Sequence, residues 1–148
     1  MKPVPRLFLD ASVWIAAAGS TTGGSAATLE LCRRNKTRAV ASRLVLLEAE
    51  RNIRKKMGRE ALLRFYREIA SQGVDVIKTP TSHEIAAQNR TIDPKDAHVL
   101  AAAVKGQVDF LLTLDRKDFM TSKVLHAGLP FQIMTPGDFL QSWIEKQA

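Results

Sequence analysis

The sequence predicts an α/β fold in which one parallel sheet of about five strands carries helices on both faces. Short apolar runs alternate along the chain with longer segments of helical periodicity, which is typical of this class. The apolar runs are continuous rather than alternating, as expected for strands buried on both faces. The chain has 148 residues, of which 45% are hydrophobic, enough to bury one core. We therefore expect a single domain over residues 1–148.

The chain carries a net charge of +7. A basic surface attracts polyanions, although charge alone does not choose between nucleic acid and an anionic membrane. Cys32 is the one cysteine, which excludes an internal disulfide and a cysteine zinc cluster, and we expect it to be buried. No apolar run approaches the roughly 20 residues that span a bilayer. Asp10 interrupts the N-terminal apolar stretch, so we expect a cytoplasmic protein without a signal peptide and without membrane association.

Residues 6–9 form the first apolar run and predict a buried strand. The segment 10–18 predicts a helix that Asp10 or Ser12 can cap by accepting a backbone N–H. Alternatively, Asp10 places its carboxylate at the carboxyl end of the first strand, where open α/β sheets bind ligands. The small polar segment 19–25 predicts a loop.

Glu48 lies on an otherwise apolar stripe of a helix predicted over residues 43–57, with Ser42 as its cap. A carboxylate is costly to bury without a partner. Glu48 therefore either pairs with Arg51 or Lys55 on a solvated face, or points into an acidic cleft that a cation fills.

Positive charge is concentrated in residues 33–67, which hold 12 of the 22 lysines and arginines. Such a run is either a solvated helix face or a surface that follows a phosphate backbone, whose binding would fall steeply with salt. Our candidates for nucleic-acid binding are Arg51, Lys55 and Lys56, on the helix that carries Glu48.

The segment 93–96 has the signature of a helix start, with Asp93 as cap and Pro94 at the first helical position. Capping explains Asp93 but explains Asp96 less well. The helix that follows, at 97–105, is nearly all apolar, so Asp96 is expected in its first turn at the rim of the core. We expect His98 to face elsewhere and to be structural.

Residues 110–112 predict a strand that ends at Thr113 and leads to Asp115 and Asp118. The remaining predicted elements are strands at 37–41, 74–77 and 130–134, and helices at 26–35, 59–70, 81–90, 123–127 and 136–146.

Right-handed crossovers bring the carboxyl ends of the first and fourth strands to one edge of the sheet. Asp10, Asp96 and Asp115 should gather there, with Glu48 from a neighbouring helix. Such carboxylates repel unless a cation lies among them, and oxygen ligands select Mg²⁺ or Mn²⁺. One such ion, or two about 4 Å apart, activates water for attack on a phosphoryl group. The pattern therefore predicts a metal-dependent nuclease.

Four stretches in this order, at 9–13, 42–48, 96–97 and 112–119, make the chain similar to PIN-domain proteins. That family includes the VapC toxins of toxin–antitoxin pairs, and the resemblance covers nearly the whole chain. It implies a three-layer α/β/α fold, Mg²⁺ or Mn²⁺ as cofactor, and cleavage of single-stranded RNA. It also implies a homodimer and an inhibitory protein antitoxin.

The resemblance implies metal-ligand and catalytic roles for Asp10, Glu48, Asp96 and Asp115. Asp118 matches a less regular fifth acid of the family. Ser12 and Thr113 match small polar positions that orient a ligand or water, although each can equally be a cap or turn residue.

Two alternatives stay open at this point. A nucleic-acid- or partner-binding module with a weak or inactive site would bind RNA in a salt-dependent way without cleaving it. The second alternative is a different acidic α/β protein, such as a receiver domain or an aspartyl phosphatase. The phosphatase would need a second aspartate where Ser12 stands, and a receiver would need paired acids before Asp10.

Overall fold

The computed structural model describes residues 3–147, which form a five-stranded, wholly parallel sheet in the order β3-β2-β1-β4-β5. The strands are β1 (Arg6–Leu9), β2 (Arg38–Ala41), β3 (Asp75–Val76), β4 (Phe110–Leu112) and β5 (Gln132–Met134). The helices are α1 (Ala11–Gly19), α2 (Gly24–Arg33), α3 (Arg43–Lys56), α4 (Arg59–Gln72), α5 (Ser82–Ala86), α6 (Ala97–Lys105), α7 (Arg116–Phe119), α8 (Ser122–Leu125) and α9 (Pro136–Gln147). The predicted α/β/α architecture with a central parallel sheet is confirmed.

The strand order places β1 in the middle of the sheet, between β2 and β4. Its apolar run is fully buried, as the continuous hydrophobic pattern predicted. The ladder continues one residue past each strand: the Asp10 N–H donates to the Leu112 carbonyl at 3.1 Å, and the Thr113 N–H donates to the Met134 carbonyl at 3.0 Å. Asp10 and Thr113 are thus anchored side by side at the carboxyl edge of the sheet.

Trp14 of α1 contacts both the sheet and α4. Its indole is 1% exposed, and its Nε1 donates to the Leu9 carbonyl at 3.1 Å. The ring meets Phe65 of α4 edge to face, with 6.2 Å between centroids, a favourable aromatic geometry. These contacts fix the angle at which α1 leaves β1, and therefore the position of Asp10 between them.

Some predicted boundaries were wrong. The loop expected at 19–25 is shorter, because α2 begins at Gly24 and buries Ser25. The helix expected over 81–90 ends at Ala86, and turns follow. Its capping box at Thr81 and Glu84 is present, yet α5 buries none of its residues, so little core packing is available to extend it.

Composition also predicted a buried cysteine, and this is confirmed. Cys32 is buried, and burial raises the pKa of its thiol to about 11. Across residues 3–147, no helix combines the length and the apolar character that crossing a bilayer requires.

Candidate metal centre

Three aspartates from two loops converge beside the carboxyl edge of the sheet. Asp96 ends a 3-10 turn (Pro94–Asp96) and leads into α6, Asp115 caps α7, and Asp118 lies in the first turn of α7. One carboxylate oxygen from each lies within 4.8 Å of the others. All three residues are partly exposed, so an ion and its substrate can reach the carboxylates from solvent.

The turn between β4 and α7 sets the geometry of two of these acids. The Asp115 side chain accepts the Asp118 N–H at 3.0 Å, which is the N-capping arrangement. The Asp115 N–H in turn donates to the Thr113 hydroxyl at 3.0 Å. Because Asp115 and Asp118 are three residues apart at a helix start, both side chains lie on one side of the turn.

A lysine ammonium bridges two of these three aspartates from the solvent side. The Lys95 Nζ donates to one oxygen of Asp96 and to one oxygen of Asp118, each at 2.8 Å. The hydrogen bond from Lys95 is the main cause that lowers the pKa of Asp118. Sequence analysis assigned no role to Lys95, although its position beside Asp96 was visible there.

Asp10 lies deeper than the cluster and combines the two roles that the sequence left open. Its Oδ1 accepts the Ala11 N–H at 2.8 Å and caps α1. Its Oδ2 accepts hydrogen bonds from the hydroxyls of Thr113 at 2.8 Å and Ser12 at 3.2 Å. The residue is only 7% exposed. Capping and a place at the ligand-binding edge of the sheet are therefore compatible, since each uses a different oxygen.

Ser12 and Thr113 connect Asp10 to the loop that carries Asp115. The Ser12 hydroxyl accepts the Leu114 N–H at 3.0 Å while it donates to Asp10. Thr113 is fully buried and likewise accepts a backbone N–H from the loop. Both hydroxyls thus orient an acid and a loop together; their part in a reaction stays a prediction.

Burial raises the pKa of Asp10, although the hydrogen bonds from Thr113, Ala11 and Ser12 act in the opposite direction. The negative charge of Asp96 raises that pKa further. The Asp10 carboxyl group therefore binds its proton more tightly in the folded protein than in the unfolded chain. A raised carboxyl pKa makes folding less favourable as the pH rises from the unfolded-state value, about 3.9, through the folded-state value.

We expect the isosteric Asp10→Asn variant to be more stable than the wild type in EDTA at pH 7. It removes the buried charge while its amide oxygen still caps α1, and the melting temperature should rise by roughly 2–4 °C. The difference should shrink below about pH 4, where the wild-type carboxyl is protonated in both states. Melting curves at several pH values measure this, and a less stable variant at pH 7 would show that the hydrogen bonds to the carboxylate outweigh its desolvation.

Glu48 projects from α3 at the edge of the same site. Glu48 is exposed, as the alternative of a solvated face predicted, but within residues 3–147 it forms no ion pair with Arg51 or Lys55. Partial desolvation raises its pKa, and the negative charges of Asp10 and Asp96 add to that rise. Glu48 therefore lies within electrostatic reach of both acids, although its side chain is outside the three-aspartate cluster.

His98 lies beside Glu48 at the border of the site. It lines a surface depression together with Glu48, Arg51 and two leucines of α3, and its charge lowers the pKa of Glu48. Its buried Nδ1 has no hydrogen-bond partner among the described residues. The first turn of α6 therefore borders the depression beside Glu48, and the expected structural role of His98 stays a prediction.

The predicted nucleic-acid-binding residues Arg51, Lys55 and Lys56 are all exposed on α3. Arg51 lines the depression beside Glu48, and the two lysines lie in the last turn of the helix. One helix thus carries an acid of the site and three exposed basic residues.

Comparison with known protein families finds a match over most of the chain. The sequence model of the PIN domain matches residues 6–117, a span that includes Asp10, Glu48, Asp96 and Asp115 and ends just before Asp118. No protein with a curated description matches the sequence.

Two solved structures share the fold. One is VapC20 of Mycobacterium tuberculosis, a toxin that cleaves the sarcin–ricin loop; it has a TM-score of 0.53 and 19% identity, over 75% of this chain and 91% of that one. The other is VapBC2 of Rickettsia felis bound to a DNA fragment from its promoter, with a TM-score of 0.59 and 16% identity, over 87% of this chain and 96% of that one. At these identities the likeness concerns the fold.

Proposed function

This chain belongs to the PIN-domain family, and we propose that it is a metal-dependent endoribonuclease that cleaves single-stranded RNA as the toxin of a toxin–antitoxin pair. One observation carries the proposal. The carboxylates of Asp96, Asp115 and Asp118 converge within 4.8 Å, although Asp96 comes from a different loop than the other two. Carboxylates this close repel each other, so a cation among them is favoured.

The chemistry of the cluster fits Mg²⁺ or Mn²⁺. Its donors are all carboxylate oxygens, which hard divalent ions prefer. The Lys95 ammonium between Asp96 and Asp118 is a stand-in cation, at 2.8 Å from each. We propose that Asp96, Asp115 and Asp118 hold the ion, with Asp10 and Glu48 completing the negative field. When bound, such an ion supplies Lewis acidity toward a phosphoryl oxygen and a water that is easier to deprotonate.

Side chains around the three-aspartate cluster supply further charge and bind the substrate in this proposal. Asp10 is fixed by three hydrogen-bond donors, so its negative charge stays in one place during a reaction. We propose that Glu48, which is exposed and has a raised pKa, accepts a proton at its carboxylate from water in the adjoining depression. Arg51, Lys55 and Lys56 would bind backbone phosphates of the substrate along α3.

Two features support RNA and a protein partner. The name of VapC20 gives cleavage of the sarcin–ricin loop as its activity, and the name VapBC2 joins a VapC component to a second one. We transfer both to this chain as proposals, together with a cytoplasmic location, a single PIN-like domain and a homodimer. Exposed apolar side chains such as Leu125 and Ile144 offer surface for a second chain.

The test is cleavage of end-labelled single-stranded RNA by purified protein in Mg²⁺, in Mn²⁺ and in EDTA, with a perfectly paired RNA duplex of the same sequence beside it. We expect cutting of the single strand with either ion and none in EDTA, and activity should return when the ion is restored. Asp115→Asn protein purified in the same way is the control for contaminating nuclease, because asparagine still caps α7.

Equal cutting by both proteins would assign the activity to a contaminant. Salt-dependent binding of several RNAs without any metal-dependent cleavage would favour the alternative of a binding module with an inactive site.

A further inference from the structure

Lys95 is placed by the backbone between two of the proposed metal ligands. Its residue lies in the 3-10 turn that follows Asp93, and the Asp93 side chain accepts the Lys95 N–H at 3.0 Å. Pro94 restricts the same turn. The start of the side chain is therefore fixed, while its four-carbon stem brings Nζ to 2.8 Å from both Asp96 and Asp118.

The exposed fractions of the Lys95, Asp96 and Asp118 side chains indicate that the ammonium neutralises the two carboxylates. Asp96 and Asp118 are 17% and 28% exposed, whereas Lys95 is 61% exposed. Two half-enclosed carboxylates that face each other need a positive charge between them. The lysine supplies that charge from the solvent side, and its flexible stem allows it to leave without moving the backbone.

We infer that Lys95 is a resident counter-ion, which holds Asp96 and Asp118 in position in the metal-free protein and has to be displaced before a divalent cation binds. The inference rests on the proposed function in taking this cluster as the metal centre. The ammonium uses one oxygen of each carboxylate, so it competes with a divalent ion for Asp96 and Asp118. Lys95 therefore sets the concentration of metal at which the site fills.

The electrostatic consequence gives the direction and size of the effect. With Lys95 in place, three carboxylates and one ammonium leave two negative charges at the cluster; without the lysine there are three. One elementary charge a few ångströms away in a partly enclosed site is worth a factor of about ten or more in the affinity of a divalent ion. The metal-free protein should also lose stability when Lys95 is removed, since the acids then repel each other.

The experiment is a titration of metal-free protein with Mn²⁺, followed by calorimetry and by the electron paramagnetic resonance signal of free Mn²⁺. It compares the wild type with Lys95→Met, which keeps an unbranched stem without the charge. Lys117→Met is the matched control: Lys117 is an exposed lysine of α7 that lowers the pKa of Asp118 by charge but, among the described residues, hydrogen-bonds to none of the three aspartates. Melting temperatures in EDTA are recorded for all three proteins.

We expect Lys95→Met to bind Mn²⁺ about tenfold or more tightly than the wild type, with only a small change for Lys117→Met. In EDTA, Lys95→Met should melt below the control, and Mn²⁺ should remove the difference. An unchanged or weaker affinity in Lys95→Met, or an equal gain in both variants, would overturn the inference while leaving the metal centre intact. If no protein bound Mn²⁺ at millimolar concentration, the proposed metal-dependent function would fall as well.

Discussion

Asp96→Asn is expected to reduce metal-dependent cleavage of single-stranded RNA by about a hundredfold or more. The substitution keeps the size of the side chain but removes one of the three negative charges that converge on the proposed ion. Lewis-acid stabilisation by such an ion is worth several kcal/mol in a transition state, and each 1.4 kcal/mol corresponds to about a tenfold change in rate. Single-turnover cleavage rates in saturating Mg²⁺ measure the effect.

Glu60→Gln provides the matched control for this variant. Glu60 is an exposed carboxylate in the first turn of α4, so its substitution removes the same charge outside the cluster, and its cleavage rate should stay within about twofold of wild type. Cleavage by Asp96→Asn at the rate of the control would exclude Asp96 from the reaction. Circular dichroism of both variants shows whether a lost rate reflects unfolding.

Trp14→Ala is expected to lower the free energy of unfolding by about 3–5 kcal/mol, the cost typical of truncating a buried aromatic residue. The substitution leaves a cavity between α1 and α4, removes the edge-to-face contact with Phe65 and leaves the buried Leu9 carbonyl without its indole donor. Urea unfolding followed by far-ultraviolet circular dichroism measures the change. Trp14→Phe, which keeps a ring, should lose distinctly less.

Trp143→Ala is the control that shows whether the loss of stability depends on the position of Trp14 or follows from truncating any tryptophan. Trp143 is the other tryptophan of the chain and is only partly buried, on α9 against Phe139. Its truncation should cost less than half as much as that of Trp14. Equal losses at the two positions would contradict the view that Trp14 is the particular contact joining α1, β1 and α4.

The sheet and the acids that follow its strands were predictable because their signals are local. The run from Arg6 to Leu9 has one stable environment, a strand buried on both faces, and Asp10 must follow it. The same reasoning placed Asp115 after β4, and parallel topology brought the two strand ends together. What decides these positions is hydrophobic burial and chain direction, and both can be read from consecutive residues.

The roles of Lys95, His98 and Glu48 depend on contacts between elements, which no local pattern contains. In the sequence, Lys95 cannot be distinguished from other surface cations. In the structure, Asp118 of α7 lies 2.8 Å from its ammonium. His98 was expected to be structural, and only the packing of α6 beside α3 shows that it lines one depression with Glu48 and Arg51. The charged residues can be identified from the sequence, but which of them lie close together on the folded surface cannot.

The measurement that tests the central claim most directly is a crystal structure of the protein grown or soaked with Mn²⁺, with anomalous diffraction recorded at the manganese edge. The proposed metal centre predicts a strong anomalous peak between the carboxylates of Asp96, Asp115 and Asp118, with the Lys95 ammonium turned away from them. A peak at other carboxylates only, or an aspartate cluster still bridged by Lys95 at saturating Mn²⁺, would contradict it.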